Sequence, residues 1–523
     1  MQEFTKKHGE KIVGTLSGFD RVRFRGSMRM LCSVKGVMAW LTDQGLLLKG
    51  FKSRGLELTA RLKAAVEQVA AAAHRPLMYL ASSALSKEDL VQELAARDGI
   101  TQGIVCVISC VEPCRSFEIH KIRETKMIDL VPAYRKCLHW YVYFIDRIFG
   151  LCHVRIQSWL PFSVHICING REWLCRQLTA AGIGFQRADN CLVQVANFAA
   201  AQEFLDRQPW HHWGRALDQL LQRSCPALSE LSFRGQPLRY YWSADQTEWA
   251  TDLLFRTPEE LAELYPTLIR HGMTTFSSRD VLRFLGRYRG PMTRGVPRNF
   301  RGEVQTDLKS RPEGVRIKHD INGNSIKMYN KQHFVLRVET TLQKSHDMKV
   351  YRTSEADPAG PKSWRVLRKA VADMPRRAEI SQAANTRYLT ALGAVDVHTP
   401  LAQIIDAVST PVTWNGRRVR GLNPLTGQDA EMACHLLRGE FSINGFRNQD
   451  LRQLLYPEAK TAADVRRKSG RVTRLLRLFR AHGLLQKIPG THRYQPTAHG
   501  RRTLPSFLAA RSASIQHLNK LAV

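Results

Sequence analysis

Apolar positions change period several times along this chain, and each change predicts an element. Leu56–Ala73 repeats at helical spacing and is rich in alanine, while Ser86–Asp98 opens on a capping serine ahead of Glu88 and Asp89. Gly103–Val111 runs apolar like a buried strand, so residues 1–130 read as an α/β layer. From Lys136 to Gly184 the runs LHWYVYFID, FGLCHVRIQSW and PFSVHICING predict a three-strand meander, followed by a helix, REWLCRQLTAAG, closing on Gly182. Glu203–Arg270 reads as mainly helical, with LRYYWSADQTEWATDLLF inside it and a helix start at Pro258. GVRIKHD and SIKMYNK flank INGN, an Asn-Gly hairpin turn, and HFVLRVETTL supplies a third strand. DPAGPK at Asp357–Lys362 reads as a linker, and no 20–50-residue repeat is visible.

The last stretch has the sharpest pattern. DAEMACHLLRG stops at Gly439, FRNQDLRQLL carries Asn448 as its N-cap, and Asp464–His482 ends on Gly483 at the position after the helix. LLQKI and HRYQP then flank Pro489-Gly490-Thr491, which makes helix, helix, helix, hairpin: a winged helix-turn-helix. On the third helix Val465, Val472, Leu475, Leu476 and Phe479 share an arc of about 100°, and only Leu478 sits on the wrong face. Arg466, Arg467, Arg471, Arg474, Arg477 and Arg480 lie outside that arc. Such a face fits a DNA major groove, with Lys487, His492 and Arg493 of the wing on the adjacent backbone or minor groove.

Charge strengthens this reading. The 78 Lys+Arg against 46 Asp+Glu give +32, a field that favours a polyanion because neutralised phosphates release counterions. Residues 283–318 hold ten Lys+Arg against three acids and read as a basic arm, with Arg294, Arg298 and Arg301 as candidate phosphate contacts. The absence of an apolar run near 18 residues and of a signal-peptide pattern argues for a soluble, cytoplasmic protein that does not bind membranes. Eleven scattered cysteines fit reduced thiols, and Cys106, Cys110 and Cys114 read as core thiols, since their spacing is not that of a zinc knuckle. His211-His212 between Trp210 and Trp213 reads as a packing corner, and SWLPF and LRYYW as core aromatics. No GxxxxGK[ST] phosphate loop occurs.

RVTRLLRLFRAHGLLQKIPGTHRYQPTAHG resembles the recognition helix and wing of MarR- and ArsR-type regulators. Over nearly its whole length, through KIVGTLSGFDRVRFRG, GIVCVISCVEPC, FGLCHVRIQSWLPF and SIKMYNKQHFVLRVETT, the chain also resembles a large bacterial family of mostly uncharacterised proteins that look like mobile-element cargo. KMYNKQHFVLRVETTL resembles the Tyr-Asp-Lys and Arg-x-Glu strands of rolling-circle replication initiators. Tyr329, Lys331, Arg337 and Glu339 match, and Asn330 stands in place of the aspartate. That resemblance implies a nicking centre in which Glu339 is a ligand of Mg²⁺ or Mn²⁺ and a tyrosine, Tyr329 or the more distant Tyr351, attacks phosphorus. No His-x-His pair is present, so histidine ligands would require His139, His153 or His165 to converge. Residue order offers another acidic set, Asp146, Asp252 and Glu339, as in two-metal nucleases and transposases. The structural alternatives are a turn-capping Asp146 and an ion pair between Arg337 and Glu339 on one strand face.

The fold expected is an α/β (α+β) body with a C-terminal winged helix-turn-helix. It is divided as 1–130, 131–356, a linker and helical segment 357–425, the winged helix 426–505 and a tail 506–523. The function expected is DNA binding of mobile-element or replication-initiator type, with metal-dependent strand cleavage as a further expectation. A non-enzymatic winged-helix regulator, an RNA-binding partner of a structured RNA, and a homodimer stay open.

Overall fold

The computed structural model describes residues 2–81, 85–121, 127–287, 303–311, 314–354, 356–393, 400–437, 441, 445–459 and 461–514. The body is built on one eleven-stranded sheet. In chain order its strands are β1 (Ile12–Ser27), β2 (Leu77–Tyr79), β3 (Gly103–Lys121), β4 (Ile128–Asp146), β5 (Gly150–Gln157), β6 (Val164–Asn169), β7 (Tyr241–Phe255), β8 (Val304–Arg311), β9 (Gly314–Ile321), β10 (Asn324–Lys331) and β11 (Val335–Leu342). Across the sheet they run β8-β9-β10-β11-β7-β1-β6-β5-β4-β3-β2, antiparallel everywhere except β2 on β3. The long pair β1·β7 is the spine. A meander β3–β6 docks on β1 through β6, and a second meander β8–β11 docks on β7 through β11.

Several elements follow their sequence signals closely. The Asn322-Gly323 turn has positive φ at both residues, as a two-residue hairpin needs, and joins β9 to β10. Ser86 caps the helix Lys87–Arg97, and Thr257 with Glu260 forms a capping box ahead of Pro258–Thr274. The stretch expected to be helical around LRYYW is instead β7, a central strand. Trp242, Ala244, Thr247, Trp249, Thr251 and Leu253 are buried on its period-two positions or their bulge-shifted continuation.

One sheet face carries two apolar layers. Phe24, Val142, Val154, Ile166 and Leu217 belong to one, and Leu253, Ile317, Met328, Val338 and Tyr388 to the other. The division expected at 130/131 falls inside β4, because β3 and β4 pair along their full lengths. The segment 357–425, expected to be a linker and helical segment, contains two helices, Met374–Gly393 and Leu401–Ser409. Helix Met374–Gly393 packs on β7 and β11, and its buried Asn385 donates to the carbonyls of Trp249 (3.1 Å) and Val338 (3.0 Å) and accepts from Thr340 (2.7 Å). The C-terminal part of the expected basic arm is the β8–β9 edge hairpin, while Arg294, Arg298 and Arg301 lie outside the described residues.

A third core gathers the C-terminal elements. Helices Gly427–Leu436, Asn448–Leu455 and Ala462–Ala481 precede a hairpin, Leu485–Lys487 with Tyr494–Pro496, to which Phe446 adds a bridge at Tyr494. Val408, Leu422, Leu504 and Phe507 share this core, so the unit extends beyond the expected 426–505 span, back to helix Leu401–Ser409 and forward through helix Ala498–Ser512, which starts inside that span. No described helix is long and apolar enough to cross a membrane.

Candidate functional site

Helix Ala462–Ala481 starts at a Thr461 cap and buries Val472, Leu475, Leu476 and Phe479, leaving Arg466, Arg467, Arg471, Arg474 and Arg477 exposed. Leu478 is also buried, because a second hairpin, Val412–Trp414 with Arg417–Val419, lies against this side of the helix. Between hairpin and helix runs a groove of about 510 Å³, lined by Arg417, Arg418, Arg420, Arg471, Arg474 and Arg477 over Leu475 and Leu478. Among the described residues no carboxylate lines it. Asp429 lies behind, accepting from Arg420 at 2.7 and 2.9 Å, and the ring of Trp414 sits under the guanidinium groups of Arg477 (5.8 Å) and Arg480 (5.1 Å).

Other predicted contacts are placed differently. Arg467 pairs with Asp464 at 2.7 Å, and Arg493 donates to the Gly445 carbonyl at 3.1 Å, which ties the hairpin to the preceding loop. Lys487 and His492 are exposed. Arg417, Arg418 and Arg420 were missed because the run GRRVR precedes the three-helix pattern; its basic density was the available signal.

The second arrangement lies at the sheet's centre. A bulge between Phe19/Trp249 and Arg21/Glu248 leaves Asp20 unpaired and re-aims its side chain. Asp20, Glu248 and Glu339 each bring a carboxylate oxygen within 4.8 Å of the other two. Glu339 is buried and accepts from Lys327 Nζ (2.6 Å) and from the Tyr329 hydroxyl (2.6 Å), while Lys327 also reaches Glu248 at 3.9 Å. Burial and the nearby Glu339 push the Glu248 carboxyl up to about 6. Burial opposes ionisation of Glu339 too, but Lys327 holds it down to about 2. Tyr329 is pushed well above the ordinary phenol range by burial and by Glu339, so it stays a protonated donor rather than a ready nucleophile. The donors are hard oxygens, and Thr341, across the ladder from Glu248, keeps a buried hydroxyl without a hydrogen-bond partner. Such a set suits Mg²⁺ or Mn²⁺.

The set Asp146, Asp252 and Glu339 does not assemble. Asp146 closes β4, accepts the N–H groups of Ile148 (2.8 Å) and Phe149 (3.1 Å) and pairs with Arg223 at 2.6 Å. Five strand spacings separate β4 from β11, about 24 Å, too far to share an ion. Asp252 is buried between Arg337 (2.5 Å) and Arg171 (3.0 Å); burial opposes its charge, yet those cations hold it below the usual carboxylate range. Arg337 therefore pairs with Asp252 and Asp20 rather than with Glu339, and Lys331 pairs with Asp189 at 2.9 Å.

The histidines do not converge on the acids. His153 and His165 line a separate groove with Arg21, Arg23 and Arg155, where burial and the arginines lower them to about 4 and about 3. His139 is buried beside Cys137. Tyr351 is exposed on a small hairpin, its ring centroid 5.3 Å from that of Trp364. His211 packs edge-on to Trp213, as a packing corner would. No protein-family model, curated protein or solved structure matches the chain.

Proposed function

We propose that this chain is a DNA-binding protein of mobile-element or replication-initiator type, in which residues 427–496 act as a winged helix-turn-helix. The groove, lined by six arginines and by no acid among the described residues, carries the reading. Like charges held this close repel one another, and a phosphate backbone is the ligand that offsets the repulsion while accepting paired guanidinium hydrogen bonds. Arg466, Lys487 and His492 of the same unit are exposed as well. The test is fluorescence anisotropy of the full chain against duplex DNA, single-stranded DNA and a structured RNA at several salt concentrations. Preference for duplex DNA, with a steep salt slope, is expected. Tighter binding of the folded RNA would replace this reading with an RNA-binding one.

A second reading concerns the body, and the convergence of Asp20, Glu248 and Glu339 favours it. We infer that these carboxylates hold Mg²⁺ or Mn²⁺ for phosphodiester cleavage, the ion supplying charge stabilisation at phosphate and an activated oxygen nucleophile. Lys327 would stabilise charge at the same place, and Tyr329 and Arg337 would orient Glu339 and Asp20 through the hydrogen bonds they already make. Incubation of labelled supercoiled plasmid with the chain and Mn²⁺, beside Glu339→Gln, tests it. Nicking by the wild type alone supports the site, and equal nicking by both sinks it.

A further inference from the structure

The hairpin β3–β4 outgrows its neighbours. β5 pairs with β4 only over His139–Asp146, so beyond that point the ladder is two-stranded out to Lys121 and Ile128, tied to residues 157–160 by the Ser158 amide on the Leu138 carbonyl (3.1 Å), Gln157 Nε2 on the Arg115 carbonyl (3.2 Å) and the Ser116 hydroxyl on the Leu160 carbonyl (2.7 Å). Two-stranded ribbons are marginal without further support. Phe117 and Leu130 anchor this one to the core, but Val111, Ile119, Ile128 and Tyr134 are exposed along it.

At the root of the ribbon, Cys114 and Cys137 sit diagonally across the ladder with their sulfurs 3.1 Å apart, as two free thiols. His139, two residues along the same strand face, brings Nδ1 to 3.9 Å from the Cys137 sulfur. One ring nitrogen of His139 and both sulfurs lie within 4.8 Å of one another. The imidazole is fully buried, and its Nε2 has no hydrogen-bond partner although Nδ1 lies 3.1 Å from the Cys137 carbonyl. Cys137 is only partly buried, which leaves an entry path.

We propose that Cys114, Cys137 and His139 bind a soft divalent cation, zinc by donor chemistry, and that the ion clamps the root of the β3–β4 ribbon. Two thiolates and an imidazole are a familiar zinc donor set, with the fourth position of a tetrahedron left to water. Binding replaces the two thiol protons, which pass to solvent, so no oxidant or reductant is involved. Cys110, directly across the ladder from His139, is outside the group, since its sulfur donates to Glu112 at 3.2 Å.

The test uses the full chain, reduced, loaded with zinc sulfate and desalted, with metal measured by mass spectrometry. Cobalt replaces zinc in a parallel sample to read thiolate ligation from its charge-transfer absorption. That band separates this site from the all-oxygen centre at Glu339. One zinc per chain is expected, with the cobalt band falling to background in Cys114→Ser and in Cys137→Ser and persisting in Cys110→Ser. The wild-type cobalt spectrum needs no variant to fold, and absence of a thiolate band there overturns the proposal. So does a band that survives both serine variants. Titration of nine rather than eleven thiols in metal-free protein prepared without reductant, with no zinc uptake after reduction, would make the pair a disulfide and also overturn it.

Discussion

Arg337 grips Asp252 with two nitrogens, Nε at 2.5 Å and Nη2 at 2.7 Å, and both residues are buried. Its third nitrogen, Nη1, reaches the bulged Asp20 at 2.9 Å. Removing one partner of a buried, hydrogen-bonded pair strands the other charge, so Asp252→Leu should destabilise the fold by about 3–5 kcal/mol. Urea unfolding followed by tryptophan fluorescence measures this. A stable Asp252→Leu protein that has lost divalent-cation binding would instead make Asp252 a ligand.

Replacing Arg471, Arg474 and Arg477 together by alanine should weaken duplex binding and flatten the plot of log K against log salt by about 2.7, at about 0.9 per phosphate contact. Stability should hold, because these side chains are exposed. An unchanged slope would mean that the groove does not meet phosphates.

The Glu248 carboxyl, raised from 4.5 to about 6 by burial and Glu339, keeps a proton that the unfolded chain releases earlier. Its contribution to stability is full below pH 4.5 and is lost as pH rises through about 6. A metal ion takes that proton's place, so Mn²⁺ should raise the unfolding midpoint above about pH 7 and do little near pH 5. Glu339→Gln should abolish the Mn²⁺ shift. Equal shifts at both pH values would place the ion elsewhere.

Gly18 faces the helix Phe198–Arg207, and a Cβ there would lie 2.5 Å from Leu205 Cδ2. The same region holds β1 by side chains, with Gln202 accepting from the Ser17 amide (2.8 Å) and Gln208 from the Phe19 amide (2.9 Å), beside Asp20. Gly18→Val should therefore cost about 1–3 kcal/mol by overpacking and also weaken Mn²⁺ binding. Calorimetry with and without Mn²⁺ separates the two effects, and a neutral variant would show that the helix yields freely.

Local chemistry was legible wherever it was written in adjacent residues. The Asn322-Gly323 turn marked β9–β10, and the meander after Lys136 could be read from apolar runs split by Arg147–Gly150 and Pro161. β7 was not legible as a strand, because its polar positions 245–248 interrupt the alternation where β1 is bulged. The acidic centre was half legible. Glu339 stood out in an Arg-x-Glu strand, but Asp20 and Glu248 are brought to it by a bulge and by pairing between distant segments, neither of which leaves a spacing to read. Cys137 and His139 were hidden in the same way, since their partner, Cys114, comes from the neighbouring strand.

The β1·β7 spine sets a schedule for synthesis. β1 leaves the ribosome early, but its partner follows about 230 residues later, a wait of roughly 10–45 s at about 5–20 residues per second. Until then the first meander can close through β6 while the opposite edge of β1, including the backbone beside Asp20, stays without hydrogen-bond partners. An edge held open that long is a site for mispairing, and the helix Phe198–Arg207 does not cover it, since Gln202 bonds the Ser17 backbone on the other edge of β1.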